Sequence, residues 1–210
     1  MAQRSNNLNK DDSIILDILS LMDSKKKVTQ RTLSQDLNIA LGMTNLYIKR
    51  CIEKGLLKIN QIPSKRYKYY ITRKGFTEKA RLTQEYFKAS FNLYREANEN
   101  FINIFKVLEK NKKNKIVLSN ISEISDIAML ASLDYDLNII AVIDKDKKEK
   151  LYKKIPIILD LNDCKDFDFI IVTTLIDAEN RFKELSRTIS NKKIILPPFL
   201  NLKLNRSTND

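Results

Sequence analysis

Over the first hundred positions apolar residues recur at intervals of three and four. Ile14, Ile15, Ile18, Leu19 and Met22 form one such stripe, the pattern of a helix with a single buried face, and Asp11 or Asp12 is placed to cap its start. Val28 and Thr29 stand before Leu33 and Leu37 as a staple residue and an N-cap stand before a second, short helix. Asn38 tolerates the left-handed conformation that stops a helix, and a third helix is predicted from about Leu41. Within it Thr44, Ile48 and Cys51 fall at i, i+4 and i+7 with Tyr47 beside them, which turns Met43, Asn45, Lys49 and Arg50 mostly outward. Gly55 ends this helix, and two β-like runs follow around the turn "IPSKR".

From Phe76 to Lys110 there is no Gly or Pro, so one helix of about 50 Å is predicted. Its seam is Phe76, Ala80, Thr83, Phe87, Ser90, Tyr94, Ala97, Phe101, Ile104 and Leu108, flanked by Tyr86, Phe91, Leu93 and Phe105. A helix of this length must bury such a seam, against the second half of the chain or against a second copy. The polar run "EKNKKNK" then marks a boundary, and the rhythm changes. "KIVLS", "NIIAVID", "IPII", "FDFIIVTT" and "KKIILP" are short Ile/Val-rich runs, separated by the helical stretches "NISEISDIAMLASLDY", with an Asn120/Glu123 capping pair, and "DAENRFKELSRTIS". Such alternation predicts a mostly parallel sheet of about five strands with both faces covered.

The expected organisation is a flexible arm at 1–10, a helix-turn-helix with a wing at 11–75, a long linker or dimerisation helix at 76–110, a small α/β domain at 115–198 and a tail at 199–210. The fold class is an α+β winged helix, the long helix, and then a Rossmann-like α/β domain.

Charge sharpens this division. The formal net charge is +12, and up to Lys115 there are 24 Lys and Arg against 11 Asp and Glu, whereas the remainder holds 14 against 15. A basic half beside a neutral half is the signature of a polyanion-binding module joined to something else. There is no histidine, which removes the commonest general base and metal ligand together. The two cysteines, Cys51 and Cys164, are too few and too far apart for a zinc site and are expected to be buried thiols. No apolar run is long enough to span a membrane and no signal-peptide pattern opens the chain, so a cytoplasmic protein is expected.

The stretch "TLSQDLNIALGMTNLYIKRCIEKGLLKI" and, after a gap, "RYKYYITRKGFTEKA" resemble the winged-helix domain of MarR-type transcriptional regulators, especially a subgroup associated with exopolysaccharide genes. The resemblance covers roughly Asp12 to Asn100. It is carried by "EKGLL", Glu53 to Leu57, and by "YYITRKG", Tyr69 to Gly75, in which Arg73 replaces the family's usual Pro. It implies a homodimer on double-stranded DNA, with residues 41–54 as recognition helix in the major groove and 60–68 as a wing at the minor groove or backbone. On that basis Asn45 can pair with an adenine edge and Lys49 or Arg50 with guanine or phosphate, with Met43 beside them on the outer face. Thr29 and Thr44, near helix N-termini, suit phosphate contacts. Lys65, Arg66 and Lys68 furnish the wing, although a solvated hairpin tip accounts for Lys65 equally well.

Residues 115–198 resemble the N-terminal domain of sugar O-acyltransferases and CoA-binding-like domains, in which a Gly-rich loop follows the first strand. Here that loop is "SNISEIS" and holds no glycine, so the backbone cannot approach a pyrophosphate in the usual way. Ser119, Asn120 and Ser122 remain as candidate contacts to a small-molecule or nucleotide effector. Asp144 can grip a ribose or simply cap the turn beside Asp146. No cofactor, metal site or catalytic constellation is expected, and a non-enzymatic regulator is the leading function. The alternatives are a non-specific architectural DNA-binding protein and a nucleotide-sugar or acyl-transfer accessory protein.

Overall fold

A computed structural model of the chain describes residues 9–24, 28–62, 66–164 and 166–200, with the side chains of 61, 62 and 66 outside that description. The chain divides into two compact units, one running to Asn92 and the other beginning at Leu93.

In the first unit, α1 spans Lys10–Ser24. Its first turn is capped by Asn9, whose Oδ1 accepts from the Asp11 amide at 3.4 Å. Lys10 is thus helical rather than part of an arm, and Asp11 is released for other work. Helix α2, Gln30–Asp36, begins as expected at Thr29, whose hydroxyl accepts from the Thr32 amide at 3.1 Å while Thr32 Oγ1 accepts from the Thr29 amide at 3.0 Å. Asn38 has φ 50°, the left-handed stop. Helix α3, Leu41–Glu53, buries Thr44, Tyr47, Ile48 and Cys51. After Gly55, at φ +70°, strands β1, Leu57–Ile62, and β2, Arg66–Ile71, pair antiparallel with Ile59 opposite Tyr69.

Helix α4 runs Arg73–Lys110. It starts at Thr72, whose Oγ1 accepts from the Gly75 amide at 3.0 Å and donates to the Gly55 carbonyl at 2.7 Å. Its early turns deliver Leu82, fully buried, into the core formed by Ile18, Leu19, Leu33, Ile48 and Leu57. Burying one such side chain stabilises by roughly 1.5–3 kcal/mol, and the pair Lys79–Asp23 at 2.7 Å ties α4 to α1.

The last turns of α4 belong to the second unit, where Ala97, Phe101, Phe105 and Leu108 are buried. Helix α4 is therefore shared between two cores and does not stand as a linker of its own. The elements that follow are β3 (Lys115–Leu118), α5 (Glu123–Ser132), β4 (Asn138–Ile143), β5 (Leu151–Tyr152), β6 (Ile155–Ile158), β7 (Phe169–Ile171), α6 (Ala178–Thr188) and β8 (Ile194–Ile195). The sheet has six strands in the order β5-β6-β4-β3-β7-β8, all neighbours parallel except β5 and β6. The two-residue β5 edge, inside the charged stretch "KDKKEKLYKK", is the strand that periodicity could not predict.

Both faces of the sheet are covered. Ile116, Leu118, Val142 and Ile171 meet α4 and α5, while Val117, Ala141, Ile143, Ile170 and Val172 meet Ala178 and Leu185 of α6. Phe199, expected in a tail, is buried with its ring 5.8 Å from that of Phe101, and its amide donates to Asn100 Oδ1 at 3.3 Å.

A Cβ added to Gly75 would lie 2.2 Å from the Leu56 carbonyl oxygen and 2.7 Å from Ile71 Cγ1. Backbone must move to relieve such an overlap, so Gly75→Ala is expected to destabilise the first unit by about 1–3 kcal/mol, read as a lower urea midpoint. An unchanged midpoint would show that the β2–α4 junction yields freely.

Candidate nucleic-acid interface and α/β cavity

The rotation of α3 decides which of its side chains can meet a ligand. Thr44 is fully buried and its Oγ1 donates to the Ala40 carbonyl at 3.2 Å. It is a core residue, and the phosphate contact expected of it is not available. Cys51 is also fully buried, and burial pushes its thiol up to about 11.

Tyr47 donates from its hydroxyl to Asp11 Oδ1 at 2.5 Å, and Arg50 donates to Asp11 Oδ2 at 3.2 Å with its guanidinium 5.4 Å from the Tyr47 ring centre. The bond to Asp11, with burial next, holds the Tyr47 phenol above its ordinary pKa. Arg50, expected to reach outward to bases, is drawn instead into a clamp between α3 and α1. Asn45 is half-buried, and its Oδ1 lies in the interior without a hydrogen-bond partner.

The line most directly opposed to Thr44, Ile48 and Cys51 is Gly42, Leu46, Lys49 and Glu53, at i, i+4, i+7 and i+11. All four are exposed, with Lys49 and Glu53 3.9 Å apart as a loose pair. Met43 flanks this line and is exposed as expected. Leu46 is not among the candidate residues of the sequence analysis, although helical spacing from the buried triad places it outside.

Thr29 is exposed, but its hydroxyl is occupied by the α2 cap. In the hairpin, Lys68 is exposed with its Nζ 5.0 Å from the Tyr70 ring centre, and Lys58 stands opposite Tyr70 on β1. Tyr69, on the other face of β2, is buried and accepts at its hydroxyl from Gln30 Nε2 at 2.9 Å, which fixes the hairpin against α2. Lys65 lies outside the described residues, and only the backbone of Arg66 is within them.

The second unit has a cavity of about 510 Å³ lined by Asn120, Lys145, Asp146, Thr174, Asp177 and residues of α6 from Asn180 to Arg187. It opens beyond the carboxyl ends of β3, β4 and β7. The chain passes outward from β3 to β4 and β6 and then returns to β7 on the other side of β3, which is where ligands of open parallel sheets are found. Arg181 crosses its floor, donating to the Ser119 carbonyl at 2.9 Å and to Glu184 at 2.7 Å, and its Nε is buried without a partner. Lys145, and then Arg181, hold the Glu184 carboxyl below its usual range.

Of the four candidate ligand residues only Asn120 lines this cavity. Ser119 is fully buried and accepts from the Thr173 amide at 3.2 Å. Ser122, and not Asn120, caps α5 in a reciprocal arrangement with Ser125, and its hydroxyl donates to the Thr173 carbonyl. Asp144 is buried, accepting from the Ile121 amide and the Asp146 amide, each at 3.1 Å. The amides of Asn120 to Ser122, which an anion would have used, are satisfied by Thr173, Asp144 and Ser125. The protein's own carboxylate fills the turn that lacks glycine.

Residues 11–58 match the family model described as winged helix-turn-helix DNA-binding, so the first unit holds a DNA-binding domain of that class. Among curated proteins none matches the chain. Of solved structures, human N-acetylserotonin methyltransferase, crystallised in complex with SAM, is similar at 12% identity and a TM-score of 0.34, over 88% of this chain and 75% of that one. No helix among the described residues is long and apolar enough to cross a membrane.

If Asp144 is the plug of the β3–α5 turn, Asp144→Ala leaves the Ile121 amide without an acceptor. The variant is expected to lose about 1–3 kcal/mol of stability, with part of the loss restored by added acetate in chemical denaturation. Wild-type stability without acetate would show that water serves the amide equally well.

Proposed function

We propose that the protein is a transcription regulator of MarR type that binds specific double-stranded DNA sites as a homodimer in the cytoplasm, with α3 in the major groove and the hairpin at the minor groove or backbone. The observation that carries this is the seating of α3, by four buried side chains, inside the segment matching the winged helix-turn-helix model. Its inner face is fixed by the core and its outer line is free for a groove. The basic excess of this half of the chain supports affinity for phosphates.

The dimer is supported by an aromatic stripe that the first unit leaves uncovered. Phe76, Phe87 and Phe91 are exposed on α4, Phe91 at 63%, with Ala80 and Thr83 between them in a shallow groove. Contiguous apolar surface of this kind supports an interaction site there. A second copy presenting the same helix would bury it and bring two α3 helices into one assembly, as paired half-sites require.

The second unit is proposed as a Rossmann-like sensing or assembly module. Its strand order supports that likeness, and its polar cavity supports a polar effector. A purely catalytic role is disfavoured because the hydroxyls of Ser119 and Ser122 and the carboxylate of Asp144 are engaged inside the fold.

The test is to retain fragmented genomic DNA on the purified protein and footprint the best fragment at near-physiological salt. Paired protected stretches about 10 base pairs apart, centre to centre, are expected. Uniform, salt-labile binding would favour an architectural protein instead.

In the same assay Phe87→Glu/Phe91→Glu is expected to sediment as a monomer and to lose on the order of a hundredfold in DNA affinity, because both half-sites no longer bind together. A variant that stays dimeric would move the interface elsewhere.

A further inference from the structure

The outward line of α3 carries an apolar side chain at its centre. Leu46 is 41% exposed at the centre of the outward line, and Met43 is 45% exposed on its flank. Two polar groups that could read bases are partly engaged within the fold, Arg50 while still exposed. Arg50 is clamped to Asp11, and the Asn45 oxygen is turned into the interior.

Gly42 adds a second observation. A Cβ built there meets nothing within 4 Å, and the position shows no positive φ among the backbone exceptions. Neither local backbone nor internal packing requires glycine there. What glycine does supply, one turn before Leu46, is a flat surface that allows close approach of another molecule.

In the major groove the feature that an apolar side chain can recognise is the C5-methyl group of thymine, since every other distinguishing group there is a hydrogen-bond donor or acceptor. The N-terminal turns of a recognition helix are the part that meets base edges, and these are the turns holding Gly42, Met43 and Leu46. Lys49, one turn further on, supplies the cation facing the same way, and Lys58 and Lys68 stand on the hairpin for backbone contacts. An apolar centre between cations complements a methyl-rich groove between phosphates.

We infer that this protein reads its sites chiefly by apolar contact of Leu46 and Met43 with thymine methyl groups in the major groove. This rests on the DNA-binding function proposed above and adds the chemistry of its readout. The specificity would then fall on A·T pairs through the major groove, with Lys49 and the hairpin lysines contributing sequence-independent affinity.

Uracil tests this directly, because it differs from thymine by that methyl group alone. The best-retained genomic fragment is amplified once with dTTP and once with dUTP, and both duplexes are titrated with wild-type protein and with Leu46→Ala and Met43→Ala. Burying one methyl group is worth about a fourfold gain in affinity, so wild type is expected to prefer the thymine duplex by on the order of tenfold across two half-sites. Leu46→Ala should lose most of that preference while still binding, with Met43→Ala as the second probe should Leu46→Ala fold poorly by circular dichroism. Equal binding of both duplexes by wild type overturns the inference alone. A preference that survives in both variants also overturns it, since the methyl groups would then be sensed elsewhere or through DNA shape. Retention of no fragment at all defeats the DNA-binding function itself, a result distinct from either.

Discussion

The rotation of α3 is the constraint from which the rest of the first unit follows. Thr44, Tyr47, Ile48 and Cys51 are all buried, and a helix holding four such residues cannot turn without exposing one and burying a polar neighbour. Asp11 strengthens the setting from outside, because it binds the hydroxyl of Tyr47 and the guanidinium of Arg50 together. As an exposed ion pair the Arg50 contact contributes little stability, but it has a geometric effect. It joins the guanidinium of Arg50, which stays exposed, to a carboxylate on α1. Stability and readout are thus divided by helical spacing, and the residues left for readout are the ones the core did not need.

A similar substitution of internal for external groups shapes the second unit. A turn between a parallel strand and a helix leaves several amides without partners, and in nucleotide-binding sheets glycine lets a phosphate come close enough to take them. With Ser119, Asn120 and Ile121 at that turn, side chains occupy the approach, and the amides are taken by Thr173, Asp144 and Ser125. The open polar volume is displaced toward α6, where Arg181 keeps a buried Nε without a partner. The acidic residue at the end of β4 that would have faced a ribose instead satisfies the backbone.

Much of this was legible in the sequence, and the exceptions share a cause. Thr29 is legible as a cap and Asn38 as a stop because their signals are local. The strand runs from "KIVLS" to "KKIILP" were legible because β-branched runs of that length have few other uses. Lys10 and Phe199 look like parts of the chain ends in the sequence because nothing nearby announces a partner. Phe199 finds Phe101 and Asn100, about a hundred residues away. The contact of Arg50 with Asp11 is of the same kind, since it depends on how α1 packs against α3. Long-range partners decide such residues, and a single sequence does not print them.

The long helix shows how periodicity alone can merge two different environments. The seam from Phe76 to Leu108 is continuous by spacing, yet only its later part is satisfied within the chain. Ala97, Phe101 and Leu108 are buried, while Phe76, Phe87 and Phe91 remain in water. The buried ring at the later end includes Phe105, read only as a flank, because the sheet core spans more of the helix circumference than a two-stranded seam would. Leu82, absent from that seam, is what the first unit takes from α4. The earlier aromatics are therefore not left over from a core they failed to reach. The same turns already bury Leu82 on another face, so rotating the helix to hide Phe87 would expose Leu82. The helix thus carries one apolar face for its own unit and a second, more aromatic one that the described chain leaves open, and this division makes self-association on that face a physically coherent arrangement.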